Sequence, residues 1–179
     1  VANGNIDLAI IGGQLPIELN ELLQVIPFST DELALVLPMK HPLSKLKELT
    51  KEDLYQLEFV TLDTQSTTRK VLDKLLSTSG LEVSRLRIEM ELNSLEAIKN
   101  AVQSGLGAAF LPVVSIEREL VAGTIHKPRV VDLEVKRELK VITNPSRYSS
   151  RASAAFSDDI LPLFASSLSP LSKKKVKTE

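Results

Sequence analysis

Two short runs hold the side chains of this sequence best suited to chemistry. "DTQSTTRK" sets Thr64, Gln65, Ser66, Thr67 and Arg69 within six positions, and "LNSLEA" sets Asn93 beside Ser94. Hydroxyls, amides and one guanidinium are hydrogen-bond donors, and the chemistry they suit is capture of a small anion such as a phosphate or carboxylate. The same residue types are also the preferred caps of helix N-termini, so residue type alone leaves both roles open. Bond-making chemistry has weaker candidates. Glu89 and Glu91 share one face of an alternating segment, as an acid–base pair would, but Arg85 and Arg87 lie on that face and compensate them. His41 in "KHPL" and His126 in "IHKP" sit near prolines in turn-like contexts. There is no cysteine, no HExxH and no histidine cluster to hold a metal, and no G-x-S-x-G elbow to activate a serine. "SGLG" (104–107) lacks the spacing of a dinucleotide fingerprint and follows a helix, where that motif precedes one. Arg147 and Arg151, flanking "YSS", read as a solvated face. The expectation is a binding protein with no catalytic residue, no metal and no bound cofactor.

The two runs need elements to place them. "EFVTL" (58–62) reads as a strand that delivers the first run to a helix starting at Ser66. That helix carries Val71, Leu72, Leu75 and Leu76 at helical spacing and closes at Ser79-Gly80. "RLRIEMEL" (85–92) alternates Leu86, Ile88, Met90 and Leu92 with charged residues, the pattern of a half-exposed strand. It leads to Asn93, a favoured N-cap with Glu96 three residues on, and to a helix burying Leu95, Ile98 and Val102 that ends at Gly105. Gly107 then relaxes the backbone into the strand "AAFL". A helix that begins right after a strand leaves free N–H groups and partial positive charge beyond the strand's carboxyl end. In open α/β sheets ligands sit there, so the two junctions predict one shared hollow for a negatively charged ligand.

Around this centre, "DLAII" (7–11) reads as a strand buried on both faces. Strands 22–28 and 32–38 are separated by a turn at Ser29-Thr30-Asp31, and Thr50 with Asp53 caps a short helix through Leu57. A helix runs from Pro112 to Val121, strands occupy "IHKPRVVDL" and 138–144, and a last helix spans 152–164. The Ser-, Pro- and Lys-rich tail 166–179 reads as a disordered basic extension. Strands alternating with helices make this an α/β layered protein. A hydrophobic fraction of 43% with 25% charged residues suffices for a core, and a net charge of −1 argues against electrostatic coating of nucleic acid. No run approaches the length of a membrane span, and the opening residues lack the pattern of a secretory signal. The chain opens without Met on what reads as the last turn of a helix, so it is expected to be a piece of a longer protein.

"DLAIIGG", "PFSTDELALVLPMKHPL", "LDTQSTTRK", "IEMELNSLEAIKNAVQSGLGAAFLP" and "NPSRYSSRASAAF", in this order, resemble the effector-binding domain of LysR-type transcriptional regulators over residues 1 to about 164. They are most similar to the cyanobacterial and plastid group that controls RuBisCO and carbon-uptake genes. The resemblance implies a type-2 periplasmic-binding-protein-like fold: two α/β lobes joined by two crossing strands, with the effector in the cleft. It assigns residues 1–38 and 135–165 to an incomplete first lobe, lacking its opening strand–helix–strand, and 39–134 to the second. It implies an anionic effector such as a sugar phosphate, phosphoglycolate, 2-oxoglutarate or NADPH, held by Thr64, Gln65, Ser66, Thr67, Arg69, Asn93 and Ser94. It also implies homodimers or tetramers using the helix of Val71, Leu72, Leu75 and Leu76. DNA binding would come through a helix-turn-helix that these 179 residues do not contain, and the location would be the cytoplasm or plastid stroma. A transporter's solute-binding protein shares the fold and is the alternative.

Overall fold

The computed structural model describes residues 1–165; the expected basic tail lies outside the described residues. Contacts divide the chain into two units, Val1–Thr30 with the residues from Glu138 on, and Asp31–Arg137.

The first unit opens with β1 (Leu8–Ile11) and a 3-10 turn at Ile17–Leu19. Burial on both faces of β1 is not what the structure has: Ile10 is 45% exposed. Next comes β2 (Gln24–Pro38), one continuous strand of 15 residues that carries the chain into the second unit. The turn expected at Ser29-Thr30-Asp31 does not form. Asp31 is buried, and its Oδ2 accepts bonds from Arg137 Nε at 2.9 Å and Nη2 at 2.6 Å. The carboxylate that would have closed a local turn is used across the strands instead, and tertiary pairing overrides local preference.

The second unit continues through β3 (Glu48–Leu49), α1 (Lys51–Leu54), β4 (Glu58–Leu62), α2 (Thr67–Thr78), β5 (Arg87–Leu92), α3 (Leu95–Gln103), β6 (Ala109–Pro112), α4 (Glu117–Val121), β7 (Ile125–His126) and β8 (Arg129–Val130). Then β9 (Lys136–Thr143) leads back to α5 (Arg151–Ala155), a π turn at Phe156–Ile160 and α6 (Leu161–Ala165). The capping box of α1 is present, with Asp53 Oδ2 accepting from Thr50 N at 2.7 Å, but the helix stops at Leu54 rather than Leu57. The expected helix from Pro112 divides into a 3-10 turn, Val113–Ser115, and α4. "IHKPRVVDL" forms two separate short strands because Pro128, which has no N–H to donate, lies between them.

β4 and β5 are parallel, paired from Glu58 opposite Arg87 to Leu62 opposite Leu92, with a one-residue register shift between Phe59 and Val60. β6 lies antiparallel to β2. Ala108 N donates to Glu58 O at 2.7 Å and Val60 N to Ala108 O at 2.8 Å, which brings the start of β6 against β4. Gly107 makes that approach possible: its φ is +152°, and a Cβ there would lie 2.7 Å from Glu58 O. The alternation of β-strand side chains then sorts the core into two layers. Leu33, Leu35, Leu37, Phe59 and Phe110 face one side, where Leu76 of α2 packs; the rings of Phe59 and Phe110 stack with centroids 5.9 Å apart. Val36, Val60, Ala109 and Leu111 face the other, against Ile98, Ala101 and Val102 of α3. Burial of each of these large side chains contributes roughly 1.5–3 kcal/mol. α2 and α3 are thereby fixed on opposite faces of the strands that deliver them.

Candidate effector site

Because β4 and β5 are parallel and end together, the two strand-to-helix junctions leave the same edge of the second unit. Asp63 N donates to Leu92 O at 3.1 Å and ties them directly. In the first junction, Asp63 Oδ1 accepts from Gln65 N at 2.6 Å and Asp63 O from Ser66 N at 2.9 Å, so the loop turns sharply into α2. Ser66 is the cap, its hydroxyl accepting from Arg69 N at 3.5 Å. In the second junction the cap is Ser94, not Asn93. Its hydroxyl accepts from Ala97 N at 3.1 Å, and Glu96 pairs with Lys99 rather than completing a capping box. Asn and Ser are equally good caps, so the sequence could not separate neighbours one residue apart.

Thr64, Gln65, Thr67, Asn93 and Ser94 are exposed and Ser66 is half-buried, so hydroxyl and amide groups rim the ends of both helices. The shared hollow is not open. Thr61, Leu62, Thr68, Arg69, Leu72, Leu95 and Ile98 close it to about 20 Å³, room for one water. Arg69 is the one charged residue in that lining. Its side chain is 9% exposed, with Nε on the Asp73 carboxylate at 2.8 Å, Nη1 on Leu62 O at 3.0 Å and Nη1 3.5 Å from Glu91. The guanidinium is thus committed to two carboxylates and the carbonyl that ends β4. The Asp73 partner was readable from its i,i+4 spacing; Glu91 follows only from strand register.

The stripe assigned to a dimer contact is mostly internal. Leu76 is 1% exposed, Leu72 and Leu75 pack on the core cluster of their own unit, and Val71 is half-buried. The carboxylate pair carries cations: Glu89 lies 3.7 Å from Arg87, which also binds Glu58 at 3.0 Å, and Glu91 is held by Arg69. Both histidines bond backbone, His41 Nδ1 accepting from Leu43 N at 3.2 Å and His126 Nε2 lying 3.2 Å from Leu46 O. Among the described residues no group of His, Cys, Asp or Glu could hold a metal ion. Behind the second junction, Lys99 Nζ binds Glu96 at 2.9 Å, Glu119 at 3.0 Å and Ser115 O at 3.3 Å. Hydrogen bonds to Glu96 and then Glu119 hold the Lys99 ammonium above the usual lysine value, and the bond from Lys99 holds the Glu119 carboxyl below the usual carboxylate range. The Glu134 carboxylate likewise raises Lys136.

The second unit is thus a mixed α/β fold that brings exposed donors to two adjacent strand ends. The family model for the LysR substrate binding domain matches residues 1–164, and the chain belongs to that family. Its relatives include the probable RuBisCO transcriptional regulators of Porphyra purpurea, 58% identical over 164 residues, and of Synechocystis sp., 57% identical over 165. These alignments cover 92% of this chain but 52% and 48% of the relatives, so the chain spans about half the length of the curated relatives it matches. Among solved structures, the Synechocystis CcmR regulatory domain in complex with 2-PG matches with a TM-score of 0.76 at 23% identity, covering 90% of this chain and 75% of that one. The effector binding domain of QuiR in complex with shikimate matches with a TM-score of 0.73 at 21% identity, covering 92% and 74%. The fold is that of LysR effector-binding domains, of the type-2 periplasmic-binding-protein kind. No described helix is long and apolar enough to cross a membrane.

Proposed function

We propose that this chain is the metabolite-sensing part of a LysR-type regulator of carbon-fixation genes, acting in the cytoplasm or the plastid stroma. An anionic effector is bound at the edge formed by Thr64–Thr67, Asn93 and Ser94. The observation that carries the reading is the placement of two helix N-termini, rimmed by exposed donors, at the ends of two adjacent parallel strands. N–H groups of a first helical turn have no intrahelical acceptor and favour negative charge. Arg69, neutralised by its own neighbours, holds both junctions in place instead of contacting the ligand. The relatives' names support regulation of RuBisCO genes, and the bound 2-PG of CcmR supports a phosphorylated carboxylate as effector class. The reading includes a homo-oligomer, DNA contact through a helix-turn-helix outside this sequence, and no catalysis. A transporter's solute-binding protein is disfavoured by the regulator names.

The effector acts by binding one conformation more tightly than another, since only differential affinity shifts a population. The test is a thermal titration of the full-length regulator with 2-phosphoglycolate, ribulose bisphosphate, 2-oxoglutarate and NADPH. At least one should raise Tm saturably, and Thr67→Ala with Asn93→Ala should move the midpoint about tenfold, the worth of a charge-assisted hydrogen bond. Identical midpoints in wild type and the double variant would reject this edge as the site.

A further inference from the structure

One residue of β2, Leu35, is passed over by the chain beside it. The edge of β2 opposite β6 is bonded at Leu33, whose N–H donates to Val135 O at 2.8 Å, and at Leu37, which pairs with His126 of β7. Backbone groups two residues apart on a strand point the same way, so the N–H and C=O of Leu35 face that edge as well. The register of β7, carried two residues further, puts Pro128 opposite Leu35, and proline has no N–H to give. Among the described residues no hydrogen bond reaches either group, although Leu35 is 2% exposed. Buried backbone groups without a partner are rare, and something else commonly meets them. Beside Leu35 lies a cavity of about 300 Å³, and Lys127, Pro128 and Val135, which flank the gap, line it too. Buried Leu33, Phe110, Val130 and Val135 and half-buried Leu133 give it an apolar floor. The charged residues at its mouth are paired: Lys127 Nζ lies 3.5 Å from Glu32, Arg129 Nη1 lies 2.9 Å from Glu48, and Lys136 holds Glu134. Every lining residue belongs to the second unit, far from either end of the chain.

We propose that this cavity binds a small uncharged molecule with a C=O and an N–H side by side on one edge, a primary carboxamide or a ring amide. Such an edge meets Leu35 bond for bond, as the opposing residue of an antiparallel strand would. Paired charges at the mouth leave no free ion to select a charged ligand, and the apolar floor favours a ring over a second polar group. The volume stands at the lower end of the usual range for ligand pockets, about 300–1,000 Å³, which limits the ligand to about one ring and its substituents. An added strand from another chain would need several free backbone groups in a row, and the gap offers those of one residue.

The experiment follows amide chemical shifts of the 179-residue chain during titration with benzamide, thymine and N,N-dimethylbenzamide, a control that keeps ring and acceptor but has no donor. Benzamide or thymine should saturate, moving the Leu35 amide proton downfield as its hydrogen bond forms and shifting amides of residues 127–135 with it. Which of the two saturates tells an open carboxamide from a ring amide. The control should bind at least about fivefold more weakly, the worth of one neutral hydrogen bond. Leu133→Trp, which puts an indole into the cavity, should abolish saturation while the amides of β4 and α3 stay in place; should that variant not fold, the Leu35 amide of the wild type decides alone. No saturation by either compound overturns the proposal and leaves the two groups of Leu35 to ordered water. So does saturation that leaves the Leu35 amide unmoved, that the control matches, or that survives Leu133→Trp.

Discussion

Arg69 is 9% exposed and surrounded by the carboxylates of Asp73 and Glu91, which are 34% and 38% exposed, and by Leu62 O. Its removal would leave two carboxylates facing each other at the junction of β4, β5 and α2. The cost of breaking a wholly buried pair, about 3–5 kcal/mol, is an upper limit, because water reaches both carboxylates. We expect Arg69→Met to destabilise the chain by about 2 kcal/mol in urea unfolding. Arg69→Lys should restore only part, since an ammonium cannot reproduce the planar fork. Adding Glu91→Gln to Arg69→Met should recover part of the loss by removing one uncompensated charge. If Arg69→Met unfolds within about 0.5 kcal/mol of wild type, the range of an ordinary surface change, the tie has no structural weight.

Among elements, α3 is held from two sides: by its apolar face against β2, β4 and β6, and by Lys99 reaching Glu119 of α4 and the carbonyl of Ser115. The second tie depends on pH, and its sign follows from proton linkage. Glu119 is held below the usual carboxylate value, so its contribution is complete above that value and lost as pH falls through the lower folded one. Lys99 is held above the usual lysine value, so its contribution is complete below that value and lost only as pH rises past the higher folded one. The stability difference between wild type and Lys99→Met should therefore stay constant from about pH 6 to 9 and shrink below about pH 4. Urea unfolding across that range is the check, and a difference that persists undiminished in acid would rule the pair out. At this scale the sequence was informative where period and caps agreed. The charged and apolar alternation of β5, the stripe of α2 and the glycines after α3 all report a side chain's relation to its own backbone. The continuity of β2 and part of the anchoring of Arg69 depend instead on partners farther along the chain, Arg137 and Glu91, which local pattern cannot supply. The donors at the two junctions were legible for the same reason as β5; the depth of the space between them was not.

Within this chain the two units differ in how much apolar surface they bury. The second has two core layers, with Val36, Leu37, Leu54, Val60 and Val102 fully shielded. In the first, the buried apolar side chains among the described residues are Leu23, Val141 and Ile142, of which only Val141 is fully shielded, while Ile6, Ile10, Ile17 and Leu163 stand 53%, 45%, 82% and 67% exposed. Apolar burial is the main favourable term in folding, and local opening is least costly where few buried contacts must be broken. Among the described residues β1 pairs with β9 alone, through four residue pairs from Leu8 opposite Thr143 to Ile11 opposite Lys140. β4 and β6, by contrast, are paired and covered by side chains from both faces. Hydrogen exchange followed by mass spectrometry should therefore show two classes of amide in this chain. Those of β1 and of residues 24–30 should exchange first and independently of protein stability, whereas those of β4, β6 and α3 should exchange only through unfolding of the second unit. Leu76→Ala, expected to cost about 2–5 kcal/mol by opening a cavity beneath α2, should then speed exchange in the second class and leave the first unchanged. A single exchange rate for both classes, accelerated in common by Leu76→Ala, would mean that the chain opens as one cooperative body despite its uneven core.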